Sequence, residues 1–180
     1  MTAYEQAAML ESMVILADTR EQQTAKTKRR YESMGVPVKR VTLSYGDYSY
    51  NATLPGGSRM YDEEKTIKPQ FYVERKMDLD EWAGCFTRGR ERFRREFERA
   101  RENGANGIVI VENATWENLI NGRYRSRFNS KAFLASATAW MLRYDLHLLF
   151  CKEETSGQLI KELCYRDLKE RIDRGEFDEE

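Results

Sequence analysis

Four short apolar runs, MVILA (13–17), QFYVERK (70–76), GIVIVE (107–112) and LHLLFC (146–151), constrain this chain more than any other feature. Each is too short for a typical helix, and each reads as a buried strand. Segments of helical period lie between and after them. Residues 79–103 put Trp82, Phe86, Phe93, Phe97 and Ala100 on one face, which predicts a single long helix opened by Asp78 and Glu81 at capping-box spacing. Residues 130–143 repeat the pattern with Phe133, Ala137 and Trp140, and carry Ala132, Ala135 and Ala139 on a second face small enough for close helix packing. Residues 157–173 turn Ile160, Leu163, Cys164 and Leu168 inward. A basic helix over about 21–34 follows a Thr19–Gln22 capping spacing and stops at Gly35 and Pro37. VKRVTL (38–43) reads as another strand, and Tyr48–Leu54 and Arg59 onward flank PGGS (55–58) as a hairpin. The order β-α-β-β-β-β-α-β-α-β-α predicts an α/β fold with a mixed central sheet flanked by helices. The expected division is an extension over 1–12, one domain over 13–173 and an acidic tail over 174–180.

Several function classes are excluded. Thirty Lys and Arg balance thirty Asp and Glu, so any basic patch must be local. No apolar run approaches the roughly 18 residues of a membrane span, and the N-terminus lacks a signal-peptide pattern. Cys85, Cys151 and Cys164 are far apart with no CxxC, which argues for a reducing compartment, the cytoplasm, and against a disulfide framework or Cys-rich zinc site. The single histidine, His147, excludes chemistry that needs two and reads as a core or strand residue.

The chemistry-bearing residues sit at strand and turn ends. Asp18 closes the first apolar run, Asp47 follows Gly46 in a turn, and Glu74 shares a strand with Lys76. Strand alternation turns Glu74 and Lys76 to one face and Phe71, Val73 and Arg75 to the other. A carboxylate and an ammonium side by side, near a second carboxylate, suit a divalent cation and a phosphate together. This is the PD-(D/E)xK logic of nucleases. Alone, an ExK on a strand is equally well a surface ion pair.

The fuller pattern is more specific. Asp18-Thr19-Arg20-Glu21, then Gly46-Asp47-Tyr48, then Glu74-Arg75-Lys76 with Asp80 four residues beyond the lysine, resembles the XPF-type nuclease family, with its DxRE strand end, GD and ERKxxxD. Gly89-Arg90 resembles a GR pair further along. The resemblance covers about residues 13–172. It implies a restriction-endonuclease-like fold and a magnesium- or manganese-dependent endonuclease acting on flap, fork or junction DNA, in repair or recombination. It puts the metal ligands on Asp47 and Glu74, with the Arg75 carbonyl as a third, and makes Lys76 the catalytic lysine. Asp18, Arg20, Glu21, Arg75 and Asp80 match further motif positions. Asp18 and Asp80 also read as helix caps, and Arg75 as an orienting ion pair or a DNA contact.

Relatives often add a tandem helix-hairpin-helix module, for which there is no room after residue 172. The resemblance therefore implies that targeting comes from the nuclease domain itself, a homodimer or a partner, and that this is a compact phage or prophage enzyme working in a bacterial host cytoplasm. The 26 residues between Asp47 and Glu74 form an insertion that would cover the site or touch DNA. Between residues 88 and 101, seven arginines oppose three glutamates. They form either a solvated face with i,i+4 pairs or phosphate contacts, with Arg88 and Arg90 nearest the site. Arg123, Arg125 and Arg127, interleaved with Tyr124 and Phe128, read either as a DNA-contacting cluster or as an ordinary loop. Two rival functions stay open: a non-cleaving DNA-binding scaffold, and a PD-(D/E)xK nuclease of other specificity such as a junction resolvase.

Overall fold

The computed structural model describes residues 1–178. Its six-stranded sheet comprises β1 (Val14–Asp18), β2 (Val38–Val41), β3 (Tyr48–Asn51), β4 (Phe71–Lys76), β5 (Asn106–Glu112) and β6 (Leu146–Cys151). The spatial order is β2-β1-β3-β4-β5-β6. β1 runs parallel to β2 and antiparallel to β3, β3 meets β4 antiparallel through Tyr48 and Val73, and β4, β5 and β6 are parallel. The ends of β1, β4 and β5 and the start of β3 therefore share one edge. Asp18, Asp47, Glu74, Lys76 and Glu112 all arrive there. The fold is the expected mixed α/β sheet flanked by helices.

The helices are α1 (Ala3–Glu11), α2 (Ala25–Met34), α3 (Leu79–Phe86), α4 (Arg90–Glu102), α5 (Trp116–Ile120), α6 (Ser130–Tyr144) and α7 (Ser156–Asp173). One side of the sheet packs an aromatic core of Tyr45, Tyr72, Trp82, Phe86, Phe93, Phe97, Phe133 and Trp140 beneath α3, α4 and α6. The other packs Ile15, Tyr48, Tyr50, Val73, Ile110, Ile160 and Leu168 beneath α1, α2 and α7. β4 divides its side chains between these layers by simple alternation.

Several sequence expectations are corrected. The long helix over 79–103 is two helices. After Phe86 the chain tightens, Gly89 N–H donates to Gly84 O at 2.9 Å, and α4 begins afresh. A Cβ at Gly89 would stand 3.2 Å from that carbonyl, so the close approach favours glycine. The basic helix starts at Ala25, with Thr24 as its cap accepting from Thr27 N–H, rather than at residue 21. The hairpin shrinks to one bridge, Thr53 to Arg59, because Pro55 and the paired glycines curl into a turn closed by Leu54 N–H to Ser58 O. Two helices were not foreseen. α1 is capped by Thr2 and Glu5 and buries Met9, while α5 is a single short turn-like element. Ala132, Ala135 and Ala139 face outward, so no helix of the same chain packs closely on them, and His147 lies in β6 with its side chain exposed. Cys85, Cys151 and Cys164 are unpaired. Among the described residues, no helix is long and apolar enough to cross a membrane.

The insertion after Asp47 does not line the cleft, although Tyr48 starts at the site edge and Ile67 returns to pair with Leu43, whose N–H bonds Asp18. β3 runs antiparallel to β1 and carries the chain to the opposite end, where Thr53 N–H bonds Ser12 Oγ and Glu63 pairs with Lys39. Of the expected acidic tail, residues 179 and 180 lie outside the described residues.

Candidate active site

A cleft of about 740 Å³ opens at the shared edge, lined by Arg20, Asp47, Glu74, Lys76, Arg92, Phe93 and Glu96 among others. The GD turn builds one wall. Gly46 has φ +77°, and a Cβ there would come within 2.8 Å of Tyr72, so both conformation and space demand glycine. This turn lets Asp47 N–H reach Val73 O at 2.9 Å while Asp47 Oδ2 accepts from Arg75 N–H at 2.7 Å. The carboxylate takes over a strand donor that β3 has left behind, which locks it beside β4.

Glu74 and Lys76 are 4% and 5% exposed. Lys76 Nζ donates to Glu74 Oε1 and lies 4.4 Å from the Phe93 ring centroid. Burial, reinforced by Asp47 and opposed by Lys76, pushes the Glu74 carboxyl up to about 8. Burial alone would depress the Lys76 ammonium, but Glu74 and Asp47 outweigh it and hold the lysine charged. Glu96 is likewise raised, by burial against the pull of Arg20.

Asp18 is 1% exposed and is spent on local bonds. Its Oδ1 accepts from Arg20 N–H at 2.8 Å and Arg20 Nε at 2.6 Å, and its Oδ2 from Leu43 N–H at 2.8 Å. It staples the loop after β1 and does not cap α2. Arg20 continues to within 3.6 Å of Glu96. Glu21 and the Arg75 side chain lie across the sheet and line the cleft from that side. Arg75 Nη1 donates to Glu112 Oε2 at 3.0 Å and Nη2 to Glu21 Oε1 at 3.4 Å, while Arg30 bonds Glu21 and Tyr48 Oη and sits 3.3 Å from Glu112.

Asp80 stands elsewhere. Its carboxylate accepts from Arg125 Nε at 3.0 Å and Ser126 N–H at 2.5 Å, bonds that outweigh burial and hold its carboxyl below the ordinary range. It lines a second hollow of about 830 Å³ with Arg88, Arg125 and Arg127. Arg90 instead lies 5.8 Å over the Trp140 ring, and Arg123 is exposed outside both hollows.

Sequence reading missed Glu96, Arg92, Phe93, Arg30 and Glu112 as cleft residues. The signal for Glu96 was its place among Phe93, Phe97 and Ala100 on the buried stripe of α4, where a solvated counter-charge does not belong. Glu112 carried the same signal at the end of a buried strand.

A divalent cation fits the donors present. Asp47, Glu74 and the Arg75 carbonyl are all oxygen, the chemistry hard cations prefer. Asp47, Glu74 and Glu96 line the cleft with Arg20, Lys76 and Arg92; Lys76 pairs with Glu74 and Arg20 lies 3.6 Å from Glu96. Among the described residues, no group of three or more His, Cys, Asp or Glu side chains is arranged to enclose a metal, so a cation here would keep waters, as magnesium does.

The ERCC4 domain model matches residues 17–163. The chain belongs to the ERCC4 domain family. This is the XPF-type nuclease family that its motifs resemble. No match was found among curated protein sequences. Among solved structures, the ERCC4 domain described here is similar to XPF from Aeropyrum pernix, with TM-score 0.60, 22% identity, and coverage of 91% of this chain and 69% of that one. It is also similar to XPF from Aeropyrum pernix in a complex with DNA, with TM-score 0.59, 23% identity, and coverage of 88% and 66%.

Proposed function

We propose that this ERCC4 domain is a divalent-cation-dependent endonuclease that hydrolyses DNA phosphodiester bonds at branched structures such as flaps, forks and junctions. The observation that carries the reading is the cleft geometry. The buried Lys76 ammonium and the Glu74 carboxyl group lie side by side in the cleft that Asp47 also lines, at a sheet edge open to a polymer. Magnesium or manganese held by Asp47, Glu74 and the Arg75 carbonyl would supply polarisation of the phosphate and activation of water.

The protein's own groups do the rest. Lys76 stays protonated and faces the developing negative charge on phosphate. Phe93 covers one side of its Nζ and keeps water from that side. Arg20 is oriented by its Nε bond to Asp18 and reaches the cleft with its remaining donors. Arg92 lines the same cleft and suits a flanking phosphate. The XPF structure with DNA supports DNA as the substrate class. A second copy of the chain or a separate targeting partner would then select the branch.

The test is cleavage of labelled flap, fork, nicked-junction and linear duplex DNA with magnesium, manganese or EDTA, beside Asp47→Ala and Lys76→Ala. Metal-dependent cutting of branched substrates at fixed positions from the branch, lost in both variants, is expected. Salt-sensitive binding without cleavage under any metal would leave the scaffold reading instead.

A further inference from the structure

Among the acidic side chains that line the cleft, one that no motif assigns stands beside Asp47 and Glu74. It is Glu96. It sits on α4, is 7% exposed, and lines the cleft with Asp47 and Glu74. Its position depends on the break at Thr87–Gly89. The fresh start of α4 after that break sets Phe93 beneath Lys76 Nζ and, one turn on, Glu96 toward the GD turn. Glu96 Oε1 accepts from Gly46 N–H at 3.3 Å, next to Asp47, and lies 3.6 Å from Arg20 Nη2. Arg20 is already committed through Nε to Asp18, and Lys76 to Glu74. Buried carboxylates are ordinarily paired or coordinate metal ions.

Resting on the nuclease reading above, we propose that Glu96 is a positioning residue of the cation site. Its hydrogen bond holds the Gly46 peptide and so the aim of Asp47. Its charge, one shell out from Asp47 and Glu74, draws in the cation and orients the waters the cation keeps. Outer partners of this kind commonly change metal affinity by about 10- to 100-fold.

Glu96→Gln separates charge from shape, because the amide oxygen still accepts from Gly46 N–H. Manganese affinity of the full chain is measured without DNA by titration calorimetry and by the paramagnetic signal of free manganese. Thermal midpoints are measured in EDTA. Glu96→Gln should bind manganese at least about tenfold more weakly. Its midpoint in EDTA should equal or exceed the parent's, because a buried repulsion is gone. Glu96→Asp should recover part of the affinity, and Glu98→Gln on the same helix should bind like the parent. Equal affinity in parent and Glu96→Gln would overturn the inference while the nuclease reading stands. A fall in affinity matched by a fall in the EDTA midpoint would overturn it too, by making Glu96 a packing residue. A parent chain that binds no manganese would bring down the underlying reading, and the inference with it.

Discussion

β4 separates two charge clusters that both border the cleft and differ in how completely their charges are paired. Below the strand, Glu21 and Glu112 face Arg30 and Arg75, with Tyr48 Oη bonded into the group, and the charges cancel. Above it, Lys76 pairs with Glu74 and Arg20 with Asp18 and Glu96, while the Asp47 carboxylate is held by the Arg75 backbone N–H. The same strand serves both, with Arg75 pointing down and Glu74 and Lys76 pointing up. A cancelled cluster acts as a clamp. It joins α2, β3, β4, β5 and, through Arg30 Nε to Ser156 Oγ, the start of α7. A cluster in which Asp47 raises both Glu74 and Glu96 holds crowded acids whose repulsion a bound cation relieves.

The largest effect should come from unbalancing the clamp. Glu112→Ala leaves Arg30 and Arg75 partly unpaired in the interior and should destabilise by about 3–5 kcal/mol in urea unfolding. Changing Glu112 and Arg30 together to apolar residues of similar volume should recover much of that loss. If both variants unfold like the parent, the clamp is not a clamp.

The upper cluster breaks differently. Lys76→Ala should lower the cleavage rate about 10²–10³-fold, the scale seen when a donor aimed at developing charge is removed. Circular dichroism should show the fold retained, and cleavage at parental rate would remove Lys76 from the site.

Cation binding sharpens the comparison further. Saturating magnesium or manganese at about 100 times Kd should add roughly 2.7 kcal/mol of stability to the parent. Asp47→Ala should lose most of this gain, whereas Glu21→Gln, in the cancelled cluster, should keep it. Equal gains in both variants, read from thermal midpoints, would place the cation elsewhere.

The smallest effect belongs to charges at the surface. Arg94 pairs with Glu91 and Glu98 on the outside of α4, and Glu98→Ala should leave the urea midpoint within experimental scatter. A clear drop would mean that exposed pairs on this helix matter as much as buried ones.

Much of the fold was legible because its signals are local. β1, β4, β5 and β6 are short apolar runs, and the buried face of α3 and α4 is the periodic stripe from Trp82 to Ala100. The break between those helices was not legible, since periodicity survives it and only the approach of Gly89 to Gly84 reveals it. Of the motif residues, Asp47, Glu74 and Lys76 lie together at one cleft, while Asp80 is drawn to Arg125 and Ser126 at another hollow. Sequence distance from Lys76 could not distinguish these, because Asp80 lies on α3, which leads away from the strand end.

The sequence by itself determined β1, β4, β5 and β6, their alternating faces and the order of the GD and ERK motifs, all properties of neighbours along the chain. Only the tertiary structure decided that Glu96 joins Asp47 and Glu74, and that Glu112 joins Arg75. Coulomb energy and desolvation depend on distance through space and on exclusion of water. Neither is set until the sheet and helices close around the charges.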